Sequence, residues 1–127
     1  MSAIRAARAG VAAVWLYEGL WCNVLAKVPD QRSIVASVPA LPPAWVTGAL
    51  VGLGLVETAI GLWVLSGVAA RPAAYVQTGL LVVCNAGGLL FAGARIAEPG
   101  RMVTQNAVLL AVVWLLAGQP VRRPADG

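Results

Sequence analysis

The chain has 127 residues, of which 60% are hydrophobic and only 11% are charged, and its formal net charge is +4. Soluble domains carry roughly a quarter charged residues, so this composition, with a mean hydropathy of +0.82, excludes a soluble globular domain. The sequence contains no histidine, whereas haem sites and most catalytic zinc or iron sites use at least one. We therefore predict a single integral-membrane domain over residues 1–127, with no metal and no cofactor.

Four apolar segments are each about long enough to cross a bilayer, at residues 9–26, 44–65, 73–92 and 102–117. Charged residues and prolines bound them, as expected outside the hydrocarbon. The pattern predicts an all-α fold, a four-helix transmembrane bundle with short loops and up-down-up-down topology. The longest connection, residues 28–43, contains four prolines, and we expect a short turn of helix at the membrane interface there.

Aromatic and basic residues indicate how the bundle lies in the membrane. Tryptophan and tyrosine fall near the predicted segment ends, as interfacial belts do: Trp21 and Trp45 on one side, and Trp63, Tyr75 and Trp114 on the other. The basic residues divide five to four: Arg5, Arg8, Arg71, Arg122 and Arg123 against Lys27, Arg32, Arg95 and Arg101. This excess favours cytoplasmic termini, and the composition suggests a bacterial plasma membrane. The basic residues are scattered, so no nucleic-acid partner is expected.

Two acidic residues, Glu18 and Glu57, fall near the middle of apolar segments. A charge at that depth costs roughly 2–3 kcal/mol on insertion scales, so such residues are sheltered within a bundle or serve a function. Lysine, arginine and histidine are missing from the middle of all four segments. If the two carboxyls approach each other, their repulsion favours a proton on at least one of them.

The third and fourth segments each supply an amide, Asn85 and Asn106. Together with the two glutamates, these amides could simply join the helices, each hydrogen-bonded pair contributing about 1 kcal/mol. The alternative is a polar pocket that binds a head group, such as that of a quinone or lipid, or that moves protons. We favour the pocket because glutamate is a costly residue to use for interhelical hydrogen bonding alone. Further polar residues lie nearer the helix ends or beside this set: Asn23, Thr58, Gln77, Thr78 and Gln105.

Small residues predict close helix packing in the second segment. Gly54, Glu57 and Gly61 share one helical face, which lets another backbone approach Glu57, and Gly48 and Gly52 form a G-x-x-x-G of the same kind. Cys22 and Cys84 lack the spacing of a redox or zinc motif and are interpreted as packed apolar residues. Most aromatic residues are assigned to belts or core, with quinone stacking as the alternative for Trp15 and Trp21.

Several segments carry a family resemblance: residues 15–21, Ile34-Val35, residues 52–57, residues 62–67 and Asn85-Ala86-Gly87-Gly88. They resemble the DoxX-like family of small bacterial membrane proteins. The resemblance implies a four-helix membrane bundle and, for some members, association with membrane-bound redox or thiol-stress complexes. It also implies that Glu18, Glu57, Asn85 and Asn106 match polar intramembrane positions of the family.

These observations lead to a functional hypothesis with two alternatives. We expect an accessory subunit that stabilises a larger redox-associated membrane complex and binds quinone or lipid at the polar pocket. The first alternative is a proton-coupled small-molecule transporter acting as a homo-oligomer. Catalysis by the chain itself ranks last, because the sequence shows no haem, flavin or metal site and no adjacent thiols to carry electrons.

Overall fold

The computed structural model describes residues 2–120, and within this range the chain is helical and contains no strand. The all-α prediction is therefore confirmed. Arg122 and Arg123, which contribute to the predicted orientation, lie outside the described residues. The first helix, α1, is α-helical over Ser2–Leu16 and continues as a π-helix over Tyr17–Val24. The helices that follow are α2 (Pro29–Ala36), α3 (Val46–Ser66), α4 (Ala70–Ala92) and α5 (Pro99–Ala117).

Three helices are long and apolar enough to cross a membrane when adjoining turns are included: Pro43–Ser66, Ala70–Arg95 and Pro99–Ala117. A fourth candidate is the pair Ala3–Val24 and Pro29–Ala36, which is bent by 77°. The bundle thus has three to four candidate spans, whereas the sequence predicts four. The first candidate differs from the other three in being a bent pair of helices rather than one continuous helix.

Helix boundaries extend beyond the predicted apolar segments. Helix α4 begins at Ala70 and α5 at Pro99, three residues before the expected starts at 73 and 102. Hydropathy identifies only the apolar part of a helix, so it misses a polar first turn. Proline is favoured at the first position of a helix, which agrees with the start of α5 at Pro99. Helix α3 ends before Gly67, whose φ of 72° is left-handed, a common conformation just after a helix.

The backbones of α1 and α3 touch at Gly19 and Gly54. A Cβ built on either glycine would lie 2.6 Å from the carbonyl oxygen of the other, closer than real Cβ atoms approach. Near the other end of α3, Gly61 packs against Leu16. The close approach predicted on the Glu57 face is confirmed.

The predicted G-x-x-x-G face has a different environment. A Cβ on Gly48 or Gly52 would meet nothing within 4 Å. The expectation that this pair brings another helix close is therefore wrong for the described residues. Both glycines lie on the side of α3 that α1 does not cover.

A packed core occupies one end of the bundle. It is closed by a hydrogen bond from the Trp15 indole to Gln77 Oε1, 2.8 Å. Nearby, Tyr75 and Trp114 form an edge-to-face pair with ring centroids 5.1 Å apart, so these two predicted belt residues do lie at the same end. The buried core residues are Val11, Ala12, Trp15, Ile60, Val64, Ala74, Leu81, Val113 and Ala117.

Candidate functional site

Beyond this core, a cavity of about 630 Å³ opens between the helices. Its walls are largely apolar and come from all five helices. Each of the four predicted residues lines it: Glu18 on α1, Glu57 on α3, Asn85 on α4 and Asn106 on α5. The structure therefore brings together, around one space, polar residues that are up to 88 positions apart in the sequence (106 − 18).

Glu57 is the most deeply placed of the four, with 6% of its surface exposed. Asn23 Nδ2 donates a hydrogen bond to Glu57 Oε1 at 2.7 Å. Asn23 is itself only 1% exposed, and its Oδ1 has no hydrogen-bond partner among the described residues. Asn23 is thus part of the site, although its position near a predicted helix end did not single it out.

Asn23 lies in the π-helical turn from Tyr17 to Val24. In a π-helix the backbone bonds to the residue five positions earlier, as Leu25 N–H does to Leu20 O at 2.8 Å. The turn is wider than an α-helical one, so Asn23 lies nearer the side of Glu18. Ordinary α-helical spacing would rotate Asn23 away from Glu18 by about 140°. Such π-helical turns are frequent at functional sites.

The two asparagines form an amide pair across α4 and α5. Asn106 Nδ2 donates to Asn85 Oδ1 at 2.9 Å, and Asn85 Nδ2 donates to the Leu81 carbonyl at 2.7 Å. Interhelical hydrogen bonding thus accounts for this pair. Glu57 takes no part in this pair, because its hydrogen bond is to Asn23 of α1 rather than to an amide of α4 or α5.

Helix α2 forms one wall of the cavity through Gln31, Ile34 and Val35. A helix in this connection was predicted, and the structure shows two turns of it. Arg95 Nη1 donates to both Ser33 O and Ser33 Oγ at 3.2 Å, which ties α2 to the end of α4. Its contacts therefore place α2 against the bundle as part of the site.

Charged side chains line the outer part of the same cavity. Arg101 and Glu98 form an exposed ion pair with 3.3 Å between Arg101 Nη1 and Glu98 Oε2. Being exposed and only three residues apart, this pair contributes at most about 1 kcal/mol to stability. The pair therefore places charged groups at the entrance of the cavity, whose other walls are largely apolar.

The remaining candidates divide between core and cavity. Cys22 is buried, while Cys84 is exposed and lines the cavity. Trp15 is 4% exposed and forms part of the cavity wall, whereas Trp21 is 46% exposed. Within residues 2–120, no cluster of three or more Cys, Asp or Glu side chains is arranged to hold a metal ion.

Comparison with protein families gives a match over residues 12–114, and the matching family is described as DoxX-like. This range contains every residue that lines the cavity. The chain belongs to the DoxX-like family. The resemblance noted from the sequence is thereby confirmed, and with its long apolar helices this DoxX-like chain is a membrane protein. Comparisons with curated proteins and with solved structures found no match.

Proposed function

We propose that this DoxX-like protein is an accessory subunit that stabilises a larger redox-associated complex in the bacterial plasma membrane. In this proposal its cavity binds a membrane-soluble small molecule, a quinone or a lipid. The observation that carries the binding proposal is the convergence of Glu18, Glu57, Asn85 and Asn106 on one cavity. Some members of the family are associated with membrane-bound redox complexes, and this supports the proposed association with a larger complex.

The dimensions and lining of the cavity suit an amphiphile. Binding sites for small molecules are typically about 300–1,000 Å³, mostly apolar, with a few polar groups that orient the ligand. At about 630 Å³ the cavity falls within this range. A head group would lie against the amides and carboxyls, and a chain would follow apolar residues such as Leu53, Leu80 and Leu109.

We further propose that both termini face the cytoplasm and that the spans alternate in direction. The contacts within helix pairs support alternation. Arg8, early in α1, lies beside Gly67 at the end of α3, and Thr78, early in α4, accepts a hydrogen bond from Trp114, late in α5, at 3.0 Å. Contacts of this kind are expected of antiparallel helix pairs, and they support the proposed alternation.

Native mass spectrometry of the tagged protein, gently extracted from its own membrane, tests the accessory role. We expect a stoichiometric complex with larger subunits and a retained quinone or lipid. An Asn85→Leu/Asn106→Leu variant should lose the small molecule and keep the protein partners, because the amide pair lines the cavity. A matched Val108→Leu variant changes an exposed position of α5 and should keep both. Recovery of only partner-free protein would contradict the accessory role.

A second candidate is a proton-coupled transporter acting as a homo-oligomer, and the presence of two carboxyls at one cavity favours it. Protonation and release at such a site can drive the movement of a small molecule. Glu18→Gln keeps the size of the side chain but cannot exchange a proton, so it should abolish proton-dependent uptake in vesicles. Uptake equal to that of the wild type would eliminate this candidate.

A further inference from the structure

We propose that the cavity binds an organic cation, a protonated amine on an apolar chain, at Glu18 and Glu57, in exchange for a proton held between Glu57 and Asn23. This inference deepens the proposed binding of an amphiphile at the cavity and rests on it. It names the chemical class of the ligand and the ion that the ligand displaces.

The cavity has a surplus of hydrogen-bond acceptors. Glu18 and Glu57 present carboxyl oxygens to it. Asn23 does not line the cavity, but its buried Oδ1 lies beside Glu57 and has no partner among residues 2–120. Because Asn23 Nδ2 already binds Glu57 Oε1, its Oδ1 lies only one amide width from that carboxyl. A buried acceptor without a donor is costly, so this position calls for an N–H or O–H group.

The balance of acidic and basic groups also favours a cation. The acidic and basic side chains that line the cavity, cysteine aside, are three carboxyl groups and one guanidinium, that of Arg101. Arg101 lies at the entrance, exposed and paired with Glu98. Around Glu57, the titratable neighbours are Glu18 and Cys22 of α1 and Cys84 of α4, none of which can supply a positive charge. An anionic head group is disfavoured here, and a cation is favoured.

A proton and an ammonium group compete for Glu57. With no ligand, a proton on Glu57 can bridge to Asn23 Oδ1, so that acid and amide hold each other through two hydrogen bonds. An ammonium group in the cavity can instead donate N–H bonds to the carboxylates of Glu57 and Glu18. The proton then leaves to water at the entrance, so one positive charge enters as one departs. The Trp15 ring in the cavity wall suits a bound cation, and the apolar walls suit its chain.

The test uses the full chain in phosphatidylcholine nanodiscs and three probes that share an eight-carbon chain: octylammonium, octanol and octanoate. Calorimetry against empty nanodiscs gives the affinities, and repeating it in buffers of different ionisation enthalpy gives the protons released. We expect octylammonium to bind at least about tenfold more tightly than octanol, with octanoate weakest and about one proton released per amine bound. Equal affinity for octylammonium and octanol, or amine binding without proton release, would overturn the proposal.

Two variants localise the effect. Glu57→Gln removes the exchangeable proton at the site, and we expect it to abolish both the preference for the amine and the proton release. Asp30→Asn removes an exposed carboxylate of α2 that does not line the cavity, and it should retain both. An equal loss in the two variants would mean that surface charge explains the preference, and the proposal would fall.

The outcomes separate this inference from the proposed function on which it rests. Octanol binding in the cavity without any preference for the amine leaves the binding function standing and removes the cation site. Failure of both octanol and octylammonium to bind wild-type protein removes the cation site and the proposed affinity for amphiphiles together.

Discussion

Gly54→Ala should destabilise the bundle by about 2–3 kcal/mol, the upper part of the usual range for overpacking. The added methyl group would lie 2.6 Å from the Gly19 carbonyl oxygen and 2.8 Å from both Asn23 Cβ and Val24 Cγ2. Because the first of these atoms belongs to the backbone, no change of rotamer relieves the contact. Helix α1 must move away from α3, which also separates Asn23 from Glu57.

Gly52→Ala provides the matched control in the same helix, since a Cβ there meets nothing within 4 Å. It should leave stability unchanged or raise it by up to about 1 kcal/mol, because alanine favours helix more than glycine does. Unfolding in mixed micelles with increasing dodecyl sulfate, followed by circular dichroism, would compare the two variants. Equal stability of Gly54→Ala and Gly52→Ala would contradict the contact between α1 and α3.

Trp15→Ala should cost about 3 kcal/mol or more, at the lower end of the range for such truncations in protein cores. Lipid chains are as apolar as a protein interior, so the loss comes from packing and hydrogen bonding rather than from exclusion of water. Trp15 packs in the core, and its indole donates the hydrogen bond to Gln77 Oε1. Truncation would leave the buried Gln77 oxygen without this donor and enlarge the cavity.

Two further variants separate these contributions. Trp15→Phe keeps most of the packing but removes the donor, so about 1–3 kcal/mol of the loss should remain. Trp21→Ala truncates the same residue type in the same helix where it is 46% exposed, and it should cost less than about 1 kcal/mol. The same unfolding measurement applies, and a Trp21→Ala loss as large as that of Trp15→Ala would contradict the assigned core.

The two kinds of glycine show where sequence reasoning ends. Faces of α3 that contain small residues can be read from helical periodicity, and Gly54 and Gly61 were found in this way. The same reasoning selected Gly48 and Gly52, which meet open space. Only the position of a neighbouring helix distinguishes the two faces, and local sequence does not encode that position.

Asn23 shows the same limit within the candidate site. The sequence places it beside the predicted site residues, but α-helical spacing turns it away from them. In the structure Asn23 nevertheless faces α3, where its side chain bonds that of Glu57 at 2.7 Å. Helix α2 shows the same limit. A helix was predictable there, but its orientation was not. The 77° bend follows Ala26, whose left-handed φ of 50° is uncommon for a residue other than glycine.

Residue pattern alone predicts the helical class, the family resemblance and the four polar residues that line the cavity. It could do so because hydropathy is a local property and because a carboxyl or amide within an apolar segment is conspicuous wherever that segment packs. Which polar groups are partners becomes visible only in the folded chain: Glu57 with Asn23, and Asn85 with Asn106. Partnership depends on how helices distant in sequence approach one another, and the close contact between Gly19 and Gly54 brings Asn23 beside α3.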